Sequence, residues 1–190
     1  MLKMTANSLY EELIIAGFGG QGIILAGKLI AQTAMEAGKQ TTYMPSYGAE
    51  VRGGTANCMV VVADDPIACP IVTRPNSIIV MNKASLHKFA PRLQPDGLLI
   101  MNSSLIEEQP EVPATVDVVA VDATNIAAEM GNVKAANMVV LGAYLAKRAA
   151  LTPDQAAAAL PKVLAKRHHN TLALNIRALK HGAELATANA

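Results

Sequence analysis

The chain has no tryptophan, only two phenylalanines and four tyrosines, and few charges: 16% of its 190 residues are Asp, Glu, Lys or Arg, against about 25% in an ordinary soluble domain. With aromatics at 3% and hydrophobic residues at 52%, any core must be built from Ala, Val, Ile, Leu and Met. So apolar a chain has little polar material to cover its own outside, which points to burial against a partner or to a homodimer face. A formal net charge of +1 supplies no field for nucleic acid or an anionic membrane. Aromatic interleaving for base stacking is missing too. The basic residues that gather late, Lys162, Lys166, Arg167, Arg177 and Lys180 with His168, His169 and His181, read as the solvated face of a C-terminal helix pair.

Two cysteines, Cys58 and Cys69, exclude a disulfide framework. Neither has the close Cys or His neighbours of a zinc or iron–sulfur site. The opening MLKMTANSLYEEL lacks the apolar stretch of a signal peptide, and no uncharged apolar run approaches the ~18–20 residues of a membrane span. The expectation is a cytoplasmic protein with no membrane or nucleic-acid partner. His87, His168, His169 and His181 sit near expected helix ends and carry no catalytic assignment, while most methionines fall in apolar runs and read as core filler.

What is present is an alternation of short apolar runs and helical spacings. Strands are expected at LIIA (13–16), TTYM (41–44), TANCMVVVA (55–63), SIIVM (77–81), LLIMN (98–102) and VDVVAV (116–121). Helix-like stretches follow the first glycines up to Gly38 and recur at 83–91, 123–130, 134–150, 153–166 and 168–186. Thr152-Pro153-Asp154 is a helix start, with threonine as cap and proline in the first turn. Strands alternating with helices, each strand apolar on both faces, predict an α/β, Rossmann-like three-layer fold with a mainly parallel sheet and helices on both faces. Residues 1–10 are expected to be a flexible extension and 11–190 a single domain.

Two stretches stand out. Gly17, Gly19 and Gly22 fit G-x-G-x-x-G between an expected strand and helix, where glycines let a backbone turn tightly and approach a phosphate. A dinucleotide site would also need an acid about 20 residues on to hold the ribose. That region reads TTYMP, so NAD is disfavoured, and the glycines serve either close packing or another phosphate. The second stretch is YGAEVRGGTAN (47–57). Glu50 and Arg52 are the only charged residues between Gln40 and Ala63. Arg52 can present a planar fork to a carboxylate or phosphate, and Gly53-Gly54 permit close approach of another chain or ligand; a solvated local Glu50–Arg52 pair is the plain alternative.

Taken together, IIAGFGGQGIILAGKLIAQ, PSYGAEVRGGTANCMVVVADDPIACPIV and SIIVMN resemble the gamma subunit of 2-oxoacid:ferredoxin oxidoreductases, across residues 12 to 182. The resemblance implies a subunit without a catalytic centre of its own. Its complex would decarboxylate a 2-oxoacid on thiamine diphosphate and Mg, pass two electrons through [4Fe–4S] clusters to ferredoxin, and form an acyl-CoA. Those cofactors would sit on partner subunits: two distant cysteines cannot supply four thiolates, and no GDG with a later asparagine marks a thiamine diphosphate–magnesium site. The resemblance further implies that Tyr47, Glu50, Arg52, Thr55 and Asn57 face neighbouring subunits. Gly17, Gly19, Gly20, Gln21 and Gly22, with Arg52, Gly53 and Gly54, would be the residues able to contact coenzyme A or another phosphate. The Gly-Gly-Thr after Arg52 looks more like 2-oxoglutarate or branched-chain members than pyruvate members. The alternatives are the smaller subunit of an indolepyruvate-type enzyme, which carries a related domain, and a nucleotide-binding regulatory module.

Overall fold

The apolar run LIIA lies inside a longer strand, β1 (Tyr10–Phe18), which delivers the first glycines to one rim of a sheet. The computed structural model describes residues 8–47 and 55–188. After β1 come α1 (Ile23–Glu36), β2 (Gln40–Tyr47), β3 (Thr55–Ala63), β4 (Ser77–Val80), α2 (Lys83–Phe89), β5 (Leu98–Asn102), β6 (Asp117–Val121), α3 (Ala123–Glu129), α4 (Ala136–Lys147), α5 (Pro153–Val163) and α6 (Leu172–Ala188). Tyr10, expected in a flexible extension, is the first residue of β1. Ser8 and Leu9 are also tied, the Ser8 hydroxyl donating to Asp65 and the Leu9 amide to Asp64.

The six strands lie in the order β2-β3-β1-β4-β5-β6. β1, β4, β5 and β6 are parallel neighbours, whereas β3 runs antiparallel to both β1 and β2. Five strands therefore point one way and β3 alone is reversed. The sheet is mixed, with the parallel majority the sequence implies. Apolarity on both faces fails at the two edges: β2 is largely exposed and β6 is exposed at Asp117, Val118 and Ala120, because an edge strand has a neighbour on one side only.

Alternation along the strands sorts the core into two layers. On one face Leu13, Ile15, Cys58, Val60 and Ile79 pack under α1, α3, α4, α5 and α6. On the other, Ile14, Ala16, Val61, Ile78 and Val80 meet Leu86 and Phe89 of α2, with Val72, Ile106 and Val116 from connecting segments. Helices cover both faces, but among the described residues five α-helices lie on one and a single two-turn α-helix on the other.

On the crowded face α4 and α6 touch backbone to backbone. A Cβ on Gly142 would enter the Leu179 carbonyl oxygen, and one on Gly182 the Val139 carbonyl oxygen. α5 begins as expected: the Thr152 side chain accepts from the Gln155 amide, and the Gln155 side chain accepts from the Thr152 amide. Such a capping box is worth about 1 kcal/mol.

At the end of the sheet away from the glycines, Glu11 of β1 is buried. It accepts from the Ser77 hydroxyl and, at 3.4 Å, from the Tyr144 hydroxyl, while Arg148 Nε lies 3.6 Å away. Burial pushes the Glu11 carboxyl above the ordinary carboxylate range, against the opposing pull of Ser77, Arg148 and Tyr144. This group ties β1, β4 and α4 together beneath the sheet. No described helix is long and apolar enough to cross a membrane.

Candidate functional site

In an open sheet with parallel strands, the crevice lies outside their carboxyl ends, where successive connections leave in opposite directions. Here that point falls between β1 and β4. From β1 the chain travels through α1 to the far edge at β2, returns along β3, then jumps past β1 to β4. The glycine loop follows β1 at this point, and Met81-Asn82 follow β4.

The loop is held by its own glutamine. Gln21 Oε1 accepts from the Phe18 amide at 2.6 Å and from Asn82 Nδ2 at 3.3 Å, and Gln21 Nε2 donates to the Met81 carbonyl at 3.2 Å. One side chain thereby closes the turn and ties β1 to β4 across the switch point. Gly17 leaves room for it: a Cβ there would lie 2.7 Å from Gln21 Oε1 and from Ile23 Cδ1. Gly20 and Gly22 take φ of 98° and 74°, the left-handed region where a Cβ is strained. Gly22 also abuts the amide of Asn137, which donates to the Gly22 carbonyl at 3.1 Å. Gly19 is exposed in the turn.

Gly22 is the residue before α1, whose N-terminus has no side-chain cap and no acid in its first turn. That end carries partial positive charge and favours an anion. Beside it opens a cavity of about 200 Å³ lined by Gly20, Gln21, Met81, Leu105, Thr124 and Lys134 among others. Lys134 is the only charged side chain lining it among the described residues. A larger depression of about 430 Å³ lies elsewhere, on the flank of α2 between His87, Pro91 and Glu108, and collects no group from the strand ends.

The strand register brings the second stretch to the same rim. Phe18 pairs with Thr55, and Tyr47 with Ala56, which itself pairs with Gly17. Tyr47 and Thr55, which flank the segment holding Glu50, Arg52, Gly53 and Gly54, therefore lie beside the glycine loop; those four residues lie outside the described ones. Tyr47 is 70% exposed, Thr55 is half-buried and Asn57 is buried.

The geometry also explains why the ribose acid is missing. In a dinucleotide fold the strand after the first helix lies beside β1. Here β3 is inserted between them, so the end of β2 stands two strand spacings, about 10 Å, from the glycine loop. An acid on β2 would not reach a ribose held there.

Three residues of the site were not singled out by sequence. Asn82 is buried, bonds Gln21, and caps α2 by accepting from the Ser85 amide at 2.8 Å. Its cue is an asparagine at the end of an apolar strand and three residues before a serine. Asn137 is 3% exposed, and its Oδ1 is buried without a partner; a lone amide in the apolar run NMVVLGAYL was the available signal. Nothing in the sequence distinguishes Lys134.

The cysteines do not fit a cluster. Burial pushes the Cys58 thiol up to about 12, so it stays protonated at neutral pH. Cys69 is exposed on another segment. Among the described residues no three His, Cys, Asp or Glu side chains gather as metal ligands.

The profile of the pyruvate ferredoxin/flavodoxin oxidoreductase family matches residues 12–185. The chain is 33% identical over 175 residues to ketoisovalerate oxidoreductase subunit VorA of Methanothermobacter thermautotrophicus, covering 92% of this chain and 36% of that one. It thus spans about a third of the length of this curated relative. It is 32% identical to 2-oxoglutarate synthase subunit KorC of Archaeoglobus fulgidus, over 85% of this chain and 83% of the relative. Among solved structures, the gamma subunit of a keto/oxoacid ferredoxin oxidoreductase from Geobacter sulfurreducens superposes with a TM-score of 0.80 at 29% identity, covering 94% of this chain and 99% of that one. A 2-oxoglutarate:ferredoxin oxidoreductase from Magnetococcus marinus, solved with 2-oxoglutarate, coenzyme A and succinyl-CoA bound, gives a TM-score of 0.85 at 25% identity, covering 94% of this chain but 31% of that one.

Proposed function

The chain belongs to the pyruvate ferredoxin/flavodoxin oxidoreductase family, and from that premise we propose that it is the gamma subunit of a 2-oxoacid:ferredoxin oxidoreductase. It contributes no catalytic centre. Thiamine diphosphate, Mg and [4Fe–4S] clusters reside on its partners, and the complex converts a 2-oxoacid, with coenzyme A, to an acyl-CoA and CO2 while reducing ferredoxin. The observation that carries the reading is the meeting of two motifs far apart in sequence, the glycine loop and the ends of the charged hairpin, on one rim.

At that rim the chain's part is to dock and to hold coenzyme A. The uncapped start of α1, Lys134 and the guanidinium of Arg52 supply positive charge for phosphate groups. Tyr47 and Thr55 flank the hairpin as partner contacts. Support for 2-oxoglutarate as substrate comes from the KorC relatives; the ketoisovalerate and pyruvate relatives make branched-chain acids and pyruvate the competing outcomes.

The test is to tag the chain, purify it anaerobically from its host and identify what accompanies it. Thiamine diphosphate and iron–sulfur subunits are expected. The chain alone should not reduce a viologen dye with any 2-oxoacid, and adding the partners should restore reduction, most strongly with 2-oxoglutarate. Turnover by the isolated chain would overturn the reading. Arg52→Ala should leave the fold intact and weaken assembly, or raise the KM for coenzyme A, by about tenfold, the effect of losing one charge-assisted hydrogen bond.

A further inference from the structure

The sheet face bearing α2 is not covered along its whole width. α2 packs on β1 and β4, and Val61 of β3 is covered with them, leaving the outer part of the face, toward β2, more open. The register sets Met44 opposite Met59, Ser46 opposite Asn57 and Phe18 opposite Thr55, and alternation turns all six to this face. Met44 and Phe18 are 39% and 38% exposed, Ser46 is exposed, Thr55 and Met59 are half-buried, and Asn57 is buried. Across β2 and β3 there is no charged residue.

We infer that the exposed outer part of this face, around Phe18, Met44 and Ser46, is a docking surface, and that its occupant is an apolar, uncharged surface of a second polypeptide, the counterpart of the chain to which this domain is joined in its longer relatives. The inference rests on the proposed subunit role and adds the face and the chemistry of the contact.

Three observations carry it. First, the same domain fills 99% of the Geobacter gamma subunit and 83% of a KorC relative, yet only 36% of VorA and 31% of the Magnetococcus chain. A module that stands alone in some proteins and forms a third of others needs a face for the remainder, and a separate subunit must hold that contact without a covalent link. Second, the patch carries no charge, so a charged partner surface would lose its hydration with no ion pair in return. Third, Pro45 sits within the outer strand β2 and has no N–H for a further strand. Pairing of two copies through the β2 edge is thereby weakened, while docking on the face is not.

The test is co-expression with the thiamine diphosphate and iron–sulfur subunits, read by native mass spectrometry of the purified assembly. Met44→Glu should lower partner recovery at least tenfold with an unchanged melting curve for the isolated chain. Met35→Glu, on α1 and 62% exposed, should assemble normally. Should Met44→Glu unfold the chain, Ser46→Glu on the same strand gives the same reading. Amides of 40–47 and 55–60 should exchange more slowly in the assembly. Full assembly of the Glu variants with unprotected amides overturns the docking face and leaves the subunit role standing. A wild-type chain that recruits no such partner removes the role and the face together. An isolated dimer split by Met44→Glu assigns the face to a second copy and overturns the proposal.

Discussion

The two faces of the sheet are built on different terms. Beneath one, five helices crowd so closely that α4 and α6 meet through Gly142 and Gly182 with no side chain between them. Over the other, one seven-residue helix and a few connecting residues cover the middle, and toward the β2 edge Phe18, Met44 and Ser46 stay exposed. The strands are equally apolar beneath both coverings at the centre of the sheet, so the difference is not one of strand hydrophobicity. It lies in where the chain spent its helices: stability is concentrated on one side, and unsatisfied apolar surface is left on the other.

The largest effect that would break this contrast is expected on the crowded side. Gly142→Ala places a methyl group in the Leu179 carbonyl, so the two helices must part; a loss of about 3 kcal/mol is expected, at the upper end for overpacking. Thermal unfolding followed by circular dichroism should then fall by about 6–12 °C. On the thin side, Leu86→Ala removes a fully buried anchor of α2 and should lower stability by about 2–3 kcal/mol, measured by urea unfolding. Because so little else covers that face, local exchange of α2 amides should rise more than the global loss alone requires.

A smaller effect probes the seam between the layers. Glu11 holds its proton more tightly in the folded chain than in the unfolded one. Its contribution is therefore most favourable at low pH and declines as pH rises through its folded value, above the ordinary carboxylate range. Glu36, Asp64 and Glu108, held low by Lys162, Lys39 and Lys83, act in the opposite sense and lose stability as pH falls. Subtracting the stability–pH curve of Glu11→Gln from that of the wild type should leave a downward slope with rising pH; a flat difference would mean that Arg148 and Ser77 fully compensate the buried charge. The smallest effect is expected from Met44→Glu on the exposed outer part of that face: within about 0.5 kcal/mol for the isolated chain, as for an ordinary surface change.

The sequence made the elements legible more readily than their arrangement. β3 and β5 begin and end where their β-branched and aliphatic runs do, because buried strands are bounded by turn residues. β1 is longer than its apolar core, since ladder bonds to β3 extend it over Tyr10–Glu12 and Gly17–Phe18. The reversal of β3 was readable in principle: seven residues separate Tyr47 from Thr55, too few for a parallel crossover of a dozen or more. Its insertion between β2 and β1 was not, because strand order depends on contacts that spacing does not encode. The same divide runs through the site. The glycine loop announced itself by its spacing, but Asn137, which supports it from 115 residues away, had only its polarity to mark it.

The reversed strand has a consequence for how the protein can change. Because β2 and β3 pair antiparallel up to Tyr47 and Ala56, the ends of the charged hairpin are fixed next to each other by the ladder, whatever lies between them. A loop anchored in this way can lengthen at little thermodynamic penalty, about 0.6 kcal/mol for each doubling. New residues at its tip need not disturb the strands that hold it. The rim is thus a place where sequence can change without cost to the fold, and grafting the seven residues of a ketoisovalerate relative here should leave the melting temperature almost unmoved.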